Sequence, residues 1–474
     1  MYTQQTLTKP LSVDDLRSEI LGIDRQVPLL DGSMRTYVYL DNAASTPTFR
    51  GVQQKVDEFL GWYSSVHRGS GFKSLLSTRA YDRAREIVAH FVGADPQVHT
   101  VIFGKNTTEA INKLANRLGL QPDDVVLTTM MEHHSNDLPW RPKAQVVYVG
   151  LRADGSLDMD DLAHKLERFQ GRVKLLATTG ASNVSGFTPP IYDMAELAHR
   201  YGAKILVDCA QLAPHRAVDM GPVDSPRHLD FVALSAHKMY APFGTGALIG
   251  PKEVFAQGPP DYRGGGTIDL VSLEEVRWAA PPERDEAGSP NVVGAVALAS
   301  SIRILSQVGM DALAAHEKEL TRYTLQRLNA LDGVRVYGSA DPERLEDRLG
   351  VITLSVDGVP HGKVAAILGF EGGIGVRNGC FCAHPYVLRL LGIGDEEYET
   401  FKQQVIAHDR SQLPGLVRVS LGCYNTTDEI DHLVEMLERV VRGDYRGDYV
   451  VDRATGDYLP RGYDPAILDR YFSL

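Results

Sequence analysis

The chain has 474 residues, of which 43% are hydrophobic and 23% charged, a composition typical of an ordinary globular protein. Its formal charge of −12, with no basic cluster, argues against a nucleic-acid partner. No apolar run reaches the roughly 18 to 20 residues that cross a bilayer, and residues 1–20 lack the pattern of a secretory signal. Four cysteines give no disulfide framework. We therefore expect a cytoplasmic protein without a membrane partner.

Short apolar runs alternate with helical stretches along the first part of the chain. LDMDDLAHKLERF and IYDMAELAHRYG have helical spacing, and Gly202 marks the end of the second helix. The apolar runs are nearly continuous, as in strands buried on both faces; they are VVLTT (125–129), QVVYVG (145–150), VKLLAT (173–178), KILVD (204–208) and DFVALS (230–235). Repeated strand–helix units predict a mainly parallel sheet wrapped by helices.

The pattern changes after the proline-rich and charged segment AAPPERDEAGSPN (279–291). Helices near 293–308 and 311–330 are followed by strands near VRVYG and GVITLSV, which predicts a second, smaller α/β domain. We predict four parts: an N-terminal segment 1–35 packing on the small domain, a large domain 36–292, the small domain 293–442 and an extension 443–474. The extension carries five tyrosines, typical of an arm that packs on a neighbouring subunit.

Two strand ends place polar side chains where an open parallel sheet binds ligands. The strand KILVD ends at Asp208, and Gln211 follows three residues later. The strand DFVALS runs into SAHKMYAPFGTG, so Lys238 comes just after a buried strand. A lone lysine there would be an ordinary loop residue. Together, the lysine and the aspartate are the amine and the acid that pyridoxal phosphate requires, which favours that cofactor.

The segment FGKNTTEAINKLAN (103–116) predicts a short strand, a polar turn and an amphipathic helix that begins near Thr107 and Thr108. Free N–H groups and the helix dipole suit a phosphate group, and the two hydroxyls add donors. By itself this motif indicates no more than a helix N-cap.

Nine motifs in chain order carry a resemblance to a known family. They are YLDNAASTP (39–47), VHRGSG (66–71), NTTEAI (106–111), MEHHSN (131–136), SNVSG (182–186), VDCAQLAPH (207–215), SAHKMYAPFGTG (235–246), RNGCFCAHP (377–385) and VRVSLGCYNT (417–426). Over roughly residues 36 to 441 the chain resembles the class V aminotransferase fold, and within it the cysteine desulfurases and selenocysteine lyases. The resemblance implies an α/β protein of the pyridoxal-phosphate-dependent transferase fold type I. Such a protein has a mainly parallel, seven-stranded type of sheet in its large domain.

The resemblance also implies how the cofactor is held. Lys238 would bind it covalently and later move the substrate's α-proton, and Asp208 would pair with the pyridine nitrogen. Gln211 would bond the phenolic oxygen, and His133 would stack on the ring and serve in catalysis. The phosphate would be held by Thr107, Thr108, Ser235 and His237. Thr267, in RGGGTID, would reach the phosphate of a partner subunit, which makes a homodimer the catalytic unit.

The substrate would be gripped by arginine and amide groups. Asn183 and Arg418 would bind the α-carboxylate, because a planar guanidinium suits a bidentate contact. Further substrate-binding residues implied by the resemblance are His67, Arg68 and Arg377.

The motif RNGCFCAHP contains the candidate nucleophile. Desulfurases of this group carry a cysteine in a segment R-x-G-x-x-C, and Arg377, Gly379 and Cys382 match that spacing. Cys382 would attack the substrate's sulfur and hold it as a persulfide, leaving L-alanine. Cys380 is interpreted as a structural thiol, because a metal clip of Cys380, Cys382 and His384 would lack a second ligand pair. We therefore expect no metal.

Other sequence features leave alternatives open. Cys209 and Cys423, in apolar surroundings, are predicted to be core residues. Thirty-six positions separate Cys382 from Arg418, more than is usual in the family, and the extra segment 387–412 has the spacing of a helical cover for the active site. One alternative function is another class V enzyme, an epimerase or carbon–sulfur lyase, that does not use Cys382 covalently. Another is a non-catalytic sulfur carrier or scaffold. L-Cysteine and L-selenocysteine are both candidate substrates, and a sulfur-acceptor protein is a candidate partner.

Overall fold

The computed structural model describes residues 11–67 and 69–474. The first elements are the helices α1 (Leu16–Glu19), α2 (Arg50–Leu60) and α3 (Phe72–Phe91) and the short strands β1 (Gln26–Pro28), β2 (Met34–Thr36) and β3 (Val38–Tyr39). β1 and β2 form an antiparallel hairpin. The hairpin and β3 lie against residues 370–375, since Leu30 N in the hairpin turn donates to Phe370 O at 2.8 Å and Val38 N of β3 to Gly373 O at 2.9 Å. The four domain boundaries stay predictions, and residues 1–10 lie outside the described part.

The large sheet follows in chain order. Its strands are β4 (His99–Gly104), β5 (Val125–Thr129), β6 (Gln145–Val149), β7 (Val173–Thr179), β8 (Lys204–Asp208), β9 (Phe231–Ser235) and β10 (Gly246–Pro251). Its helices are α4 (Thr107–Arg117), α5 (Met159–Arg168), α6 (Ile191–Arg200) and α7 (Lys252–Ala256). Across the described residues these seven strands form one sheet in the order β4-β10-β9-β8-β7-β5-β6. β10 runs antiparallel to both of its neighbours, β4 and β9, and the other pairs in the sheet are parallel. The predicted mainly parallel sheet is confirmed, with all five predicted strands present.

Burial on both faces explains why these strands read as continuous apolar runs. Within β8, Ile205 and Val207 pack into one hydrophobic cluster, and Leu206 between them packs into the cluster on the opposite face. Burying each such side chain contributes about 1.5 to 3 kcal/mol. Since both faces are covered, the polar residues of the sheet are confined to its strand ends, where a ligand can reach them.

Two long helices and an exposed hairpin come next: β11 (Ile268–Val271), β12 (Val276–Trp278), α8 (Val292–Val308) and α9 (Met310–Asn329). α8 is mostly buried and packs on α2 and α3. Within the described ranges, no single helix has both the length and the apolar character of a membrane span. α8 and α9 meet that criterion only as a pair, with a bend of 76° between them.

The C-terminal half of the chain builds a second sheet. Its elements are the strands β13 (Val334–Tyr337), β14 (Val351–Val356), β15 (Ile374–Gly375), β16 (Arg377–Gly379) and β17 (Leu416–Ser420) and the helices α10 (His361–Gly372), α11 (His384–Leu391), α12 (Asp395–Ile406) and α13 (Thr427–Arg442). The order β13-β14-β17-β16 is antiparallel throughout, whereas β15 pairs in parallel with β3. α10 and α13 pack together beside this sheet around a separate hydrophobic cluster. The strands predicted near VRVYG and GVITLSV are β13 and β14.

The extra segment between Cys382 and Arg418 is helical, as predicted, and forms most of α11 and all of α12. No residue of α12 is buried, and none lines the cavity described below. That the segment covers the active site stays a prediction.

The C-terminal extension packs on its own chain. Its strands β18 (Tyr449–Val451) and β19 (Tyr458–Pro460) form a hairpin beside α10. Glu371 of α10 accepts from Tyr449 Oη and Gly447 N at 3.0 Å each, and the ring of Tyr463 lies 5.3 Å from that of Phe370. The hairpin is therefore held by a buried carboxylate and an aromatic ring on α10, and its packing on a neighbouring subunit stays a prediction.

Candidate active site

A cavity of about 370 Å³ opens at the carboxyl ends of the central strands of the large sheet. The second sheet contributes to its wall through Arg377 of β16 and Arg418 of β17. The cavity brings together most of the predicted site residues: Thr107, Thr108, His133, Asn183, Asp208, Gln211, Ser235, His237, Lys238, Arg377, Cys382 and Arg418. The interface of the two sheets is therefore the candidate active site.

Asp208 and Lys238 lie at the ends of two paired strands. Asp208 ends β8, and Lys238 lies in the 3₁₀ turn that follows β9. Burial lowers the pKa of Lys238 to about 8, and the charge of Asp208 opposes that shift. Burial also raises the pKa of Asp208, whose Oδ1 accepts from Ala210 N at 2.9 Å. A lysine with this pKa is mostly charged at pH 7 but has a much larger neutral fraction than an unperturbed lysine.

The amino terminus of α4 forms a polar cradle in the cavity. Thr107 N donates to Ser235 Oγ at 3.2 Å, and Thr108 Oγ1 lies 2.7 Å from Ser135 Oγ. Thr107 Oγ1 is buried and has no hydrogen-bond partner among the described residues. Gly246 of β10 permits this approach, because a Cβ there would lie 2.5 Å from Asn106 C. An unpartnered hydroxyl at a helix amino terminus fits the phosphate of pyridoxal phosphate.

His133 presents a neutral ring to the cavity. Burial and the nearby charge of Lys238 lower its pKa to about 3, and its Nδ1 accepts from Ser135 N at 3.1 Å. The preceding Glu132 is fully buried and accepts from Asn136 Nδ2 at 2.7 Å and Thr179 N at 2.8 Å. Glu132 thus ties the His133 loop to β7. The motif MEHHSN contained this residue, but nothing in its spacing indicated that role.

Asp41 is the second residue that the sequence did not single out. Its Oδ1 accepts from Arg418 Nη2 at 2.8 Å, and its Oδ2 accepts from Arg377 Nε at 2.9 Å. Burial lowers the pKa of Arg418, and Asp41 opposes that shift. Arg418 Nε is buried without a hydrogen-bond partner among the described residues, so it has a donor left for a further anion. Asp41 lies within the motif YLDNAASTP, and this position is the only feature of the sequence that could have indicated a role in the site.

Two amides connect the cavity wall to neighbouring loops. Gln211 Nε2 donates to Ala43 O, and Asn183 Nδ2 donates to Phe381 O, at 2.7 Å each. Asn183 O in turn accepts from Arg418 Nη1 at 3.1 Å. Asn183 therefore links the arginine to the loop that carries Cys382.

The loop between β16 and α11 holds Cys382 in an uncommon backbone conformation. Phe381 and Cys382 have φ values of 52° and 54°, in the left-handed region that non-glycine residues seldom adopt. Cys382 O accepts from His134 N at 2.7 Å, which anchors the loop beside His133. Cys382 is exposed and lines the cavity, facing the charge of Lys238. Backbone strain of this kind is frequent at functional sites.

The other thiols have different surroundings. Cys380 does not line the cavity; its Sγ donates to Pro414 O at 3.2 Å, and burial raises its pKa to about 11. Cys209 and Cys423 are buried, as predicted. His384 stacks on His134 with ring centres 4.9 Å apart, and in the described residues it forms no metal-ligand group with Cys380 and Cys382. Of the four cysteines, Cys382 alone lines the cavity, so it is the candidate nucleophile.

Two predicted residues do not line this cavity, and a third lies outside the described residues. Thr267 is buried beside β11, and its Oγ1 donates to Gly264 O at 2.7 Å. His67 lies at the surface, where its backbone N donates to Thr78 Oγ1 and its ring contacts Tyr81 edge-on. Arg68 lies outside the described residues. Their roles toward substrate or a partner subunit stay predictions.

The sequence of this chain matches the model of a known enzyme family. A sequence model of the family Aminotransferase class-V matches residues 38–433. The chain belongs to this family of pyridoxal-phosphate-dependent enzymes. The cavity fits that cofactor: the cradle of α4 would hold its phosphate, Asp208 would face its pyridine nitrogen, and Lys238 would reach its aldehyde carbon.

Individual relatives and a solved structure show which proteins of the family this chain is similar to. A probable cysteine desulfurase of Halobacterium salinarum is 35% identical over 438 residues, covering 90% of this chain and 96% of the relative. A cysteine desulfurase of Dickeya dadantii is 36% identical over 427 residues, covering 88% and 95%. The apo structure of cysteine desulfurase from Thermococcus onnurineus superposes with a TM-score of 0.78 at 31% identity, covering 92% of this chain and 100% of that one. This chain is therefore similar to cysteine desulfurases over nearly their whole length.

Proposed function

We propose that this protein is a pyridoxal-phosphate-dependent cysteine desulfurase that converts L-cysteine to L-alanine and holds the removed sulfur as a persulfide on Cys382. The observation that carries the proposal is an exposed thiol on a strained loop, in the same cavity as Lys238 and Asp208. The similarity to cysteine desulfurases supports the same reaction.

Each residue of the cavity has a task in this reaction. Pyridoxal phosphate, when bound, supplies an electron sink for negative charge at the substrate's α-carbon. Lys238 takes the proton from that carbon as a neutral amine, a form that its pKa of about 8 makes accessible near neutral pH. Arg418 Nε and Asn183 hold the substrate's carboxylate, because both lie at the cavity wall and the guanidinium has an unused donor.

Cys382 performs the sulfur transfer. Its thiolate forms a bond to the substrate's sulfur while the bond between that sulfur and the β-carbon breaks. The electron pair of the broken bond stays with the carbon skeleton, which takes up a proton and becomes the methyl group of alanine. The sulfur remains on Cys382 as a persulfide. An epimerase or a simple lyase would need no thiol at this position.

The surroundings of the site support further parts of the proposal. The enzyme acts as a homodimer, in which the hairpin β11–β12 and Thr267 approach the partner subunit. Leu270, Val271, Leu273 and Val276 on this hairpin are exposed apolar side chains suited to an interface. An exposed Cys382 persulfide is within reach of a sulfur-acceptor protein. A thiol nucleophile stays active only in a reducing compartment, which supports the cytoplasm. L-Selenocysteine is a second substrate, since the same steps apply to selenium.

The decisive experiment measures both products. The holoenzyme with L-cysteine and a reductant should release alanine and sulfide in equal amounts. Cys382→Ser should abolish both and keep the yellow cofactor colour, whereas the matched control Cys380→Ser should keep most of the activity, since Cys380 lies outside the cavity. Normal turnover by Cys382→Ser would refute the persulfide step and favour another reaction of the family. A colourless protein that releases neither product would favour a non-catalytic carrier.

A further inference from the structure

A crevice of about 240 Å³ lies beside the helix that follows the Cys382 loop, and it shares no lining residue with the active-site cavity. Its wall has three parts: the turn between β6 and α5 (152–155), β13 with the turn after it (335–338), and the end of α11 (389–390). Each part contributes one arginine to the wall, and these are Arg152, Arg335 and Arg389. Because the three parts come from distant stretches of the chain, only the fold brings these arginines together.

The three guanidinium groups of the crevice have no counter-charge. Among the described residues, none of them forms an ion pair or a side-chain hydrogen bond. Asp154 is the one acidic residue in the described wall, and it is already engaged: its Oδ2 pairs with Arg344 at 2.9 Å, and its Oδ1 accepts from Ser156 N at 2.9 Å. Since the whole chain carries a charge of −12, an excess of positive residues does not explain three unpaired arginines around one crevice.

The walls of the crevice are held in place by close contacts. Tyr386 Oη of α11 donates to Gly155 O at 2.8 Å, which joins the helix to the turn between β6 and α5. Leu390 also packs tightly on this turn, because a Cβ added at Gly155 would lie 2.7 Å from its Cδ2. On β13, the guanidinium of Arg335 lies 4.9 Å from the ring centre of Tyr337. The crevice is therefore a preformed concavity with its arginines around it.

We propose that this crevice binds a small anion with two linked phosphate groups, a diphosphate. A guanidinium presents its N–H donors in a planar fork that matches two phosphate oxygens. A single phosphate monoester carries about 1.5 to 2 negative charges near pH 7, too few to balance three guanidinium groups. Inorganic pyrophosphate and a nucleoside diphosphate both contain the required group, so the crevice chemistry suits either source.

A bound diphosphate would join three parts of the chain near Cys382. Arg389 is in the last turn of α11, and this helix begins two residues after Cys382. The anion should therefore hold α11 against β13 and against the turn at 152–155, and this should slow hydrogen exchange of the helix amides. The inference concerns binding alone and does not rest on the proposed function.

Calorimetric titration of the holoenzyme with pyrophosphate in magnesium-free buffer tests the proposal. The bound cofactor fills the phosphate cradle of α4, and any anion held in the active-site cavity contributes equally to all variants. Arg152→Gln, Arg335→Gln and Arg389→Gln should each weaken binding about tenfold, because each removes charge-assisted hydrogen bonds. Arg335→Lys should bind with intermediate affinity, since the charge stays and the planar fork is lost.

Arg168→Gln is the matched control for Arg335→Gln. The guanidinium of Arg168 is also exposed and also lies over an aromatic ring, 5.3 Å from the centre of Phe169, but it does not line the crevice. This variant should therefore bind pyrophosphate as wild type does. At one pyrophosphate concentration, hydrogen exchange of residues 384–391 should slow in wild type and in Arg168→Gln, and much less in Arg335→Gln.

ADP and AMP distinguish the two sources of the diphosphate. Tighter binding of ADP than of pyrophosphate would assign a nucleotide, and tighter binding of pyrophosphate would assign the inorganic ion. AMP, with a single phosphate, should bind about tenfold more weakly than ADP. The proposal would be overturned if wild type did not bind pyrophosphate, if the three glutamine variants bound it as tightly as wild type, or if AMP bound as tightly as ADP. None of these measurements involves turnover of L-cysteine, so the desulfurase assay is decided separately.

Discussion

The rate at which the apoenzyme captures pyridoxal phosphate should depend on pH through Lys238. Only the neutral amine attacks the aldehyde, and burial lowers the pKa of this lysine to about 8 from its ordinary value of 10.5. The rate should therefore rise as pH increases toward 8 and level off above it. His133 and His237, with pKa values lowered to about 3 and about 4, are already neutral throughout this range.

The expected size of the rate effect follows from the lowered pKa of Lys238. At pH 7 a lysine with a pKa of about 8 is roughly one tenth neutral, whereas an unperturbed lysine is neutral in only about 0.03% of molecules. Burial thus raises the reactive fraction by about 300-fold. Asp208→Asn removes the charge that opposes this shift, so the midpoint should move below 8.

Stopped-flow mixing of apoenzyme with pyridoxal phosphate between pH 6 and 10, followed by the absorbance of bound cofactor, measures the midpoint. Asp193→Asn is the control, because it removes an equal charge from the exposed first turn of α6. A rate that keeps rising to pH 10 would refute the assigned environment of Lys238. So would an identical midpoint shift in both variants.

Three further predictions concern the chain around the site. Asp41→Asn should lower the free energy of unfolding in urea by about 3 kcal/mol, because it leaves buried Arg418 without its carboxylate; an unchanged urea midpoint would contradict this. Ending the chain at Gly443 should lower the melting temperature measured by calorimetry, because Glu371 loses Tyr449 and exposes α10; an unchanged melting temperature would show that the hairpin adds no stability. Gel filtration should give a dimer that Leu273→Asp weakens, and a fully active monomer would exclude the shared interface.

The strands of the large sheet could be predicted from the sequence because each appears as a short, continuous run of apolar residues. Strands such as β8 are buried on both faces, so their apolar runs need no knowledge of their neighbours. Lys238 and Asp208 could be predicted for the same reason: each directly follows or ends such a strand, and the topology then brings strand ends together.

The polar contacts of the site could not be predicted in this way. Asp41 matters because β16 and β17 pair Arg377 with Arg418, and because Asp41 forms a bridge with Ser420 at the end of β17. The contacts of Asp41 with Arg377, Arg418 and Ser420 join positions more than 300 residues apart, for which spacing carries no information. The same holds for the tail: only the fold shows that Glu371 on α10 of the same chain accepts a hydrogen bond from Tyr449.

Site-resolved mass spectrometry after a single turnover can detect the proposed persulfide on Cys382. Cys380 and Cys382 fall in the same tryptic peptide, residues 378–389, so fragmentation between them must locate the added sulfur. We expect one sulfur atom on Cys382, matched by one equivalent of alanine, and none on Cys380. Sulfur on Cys380, or alanine formed with neither thiol modified, would contradict it.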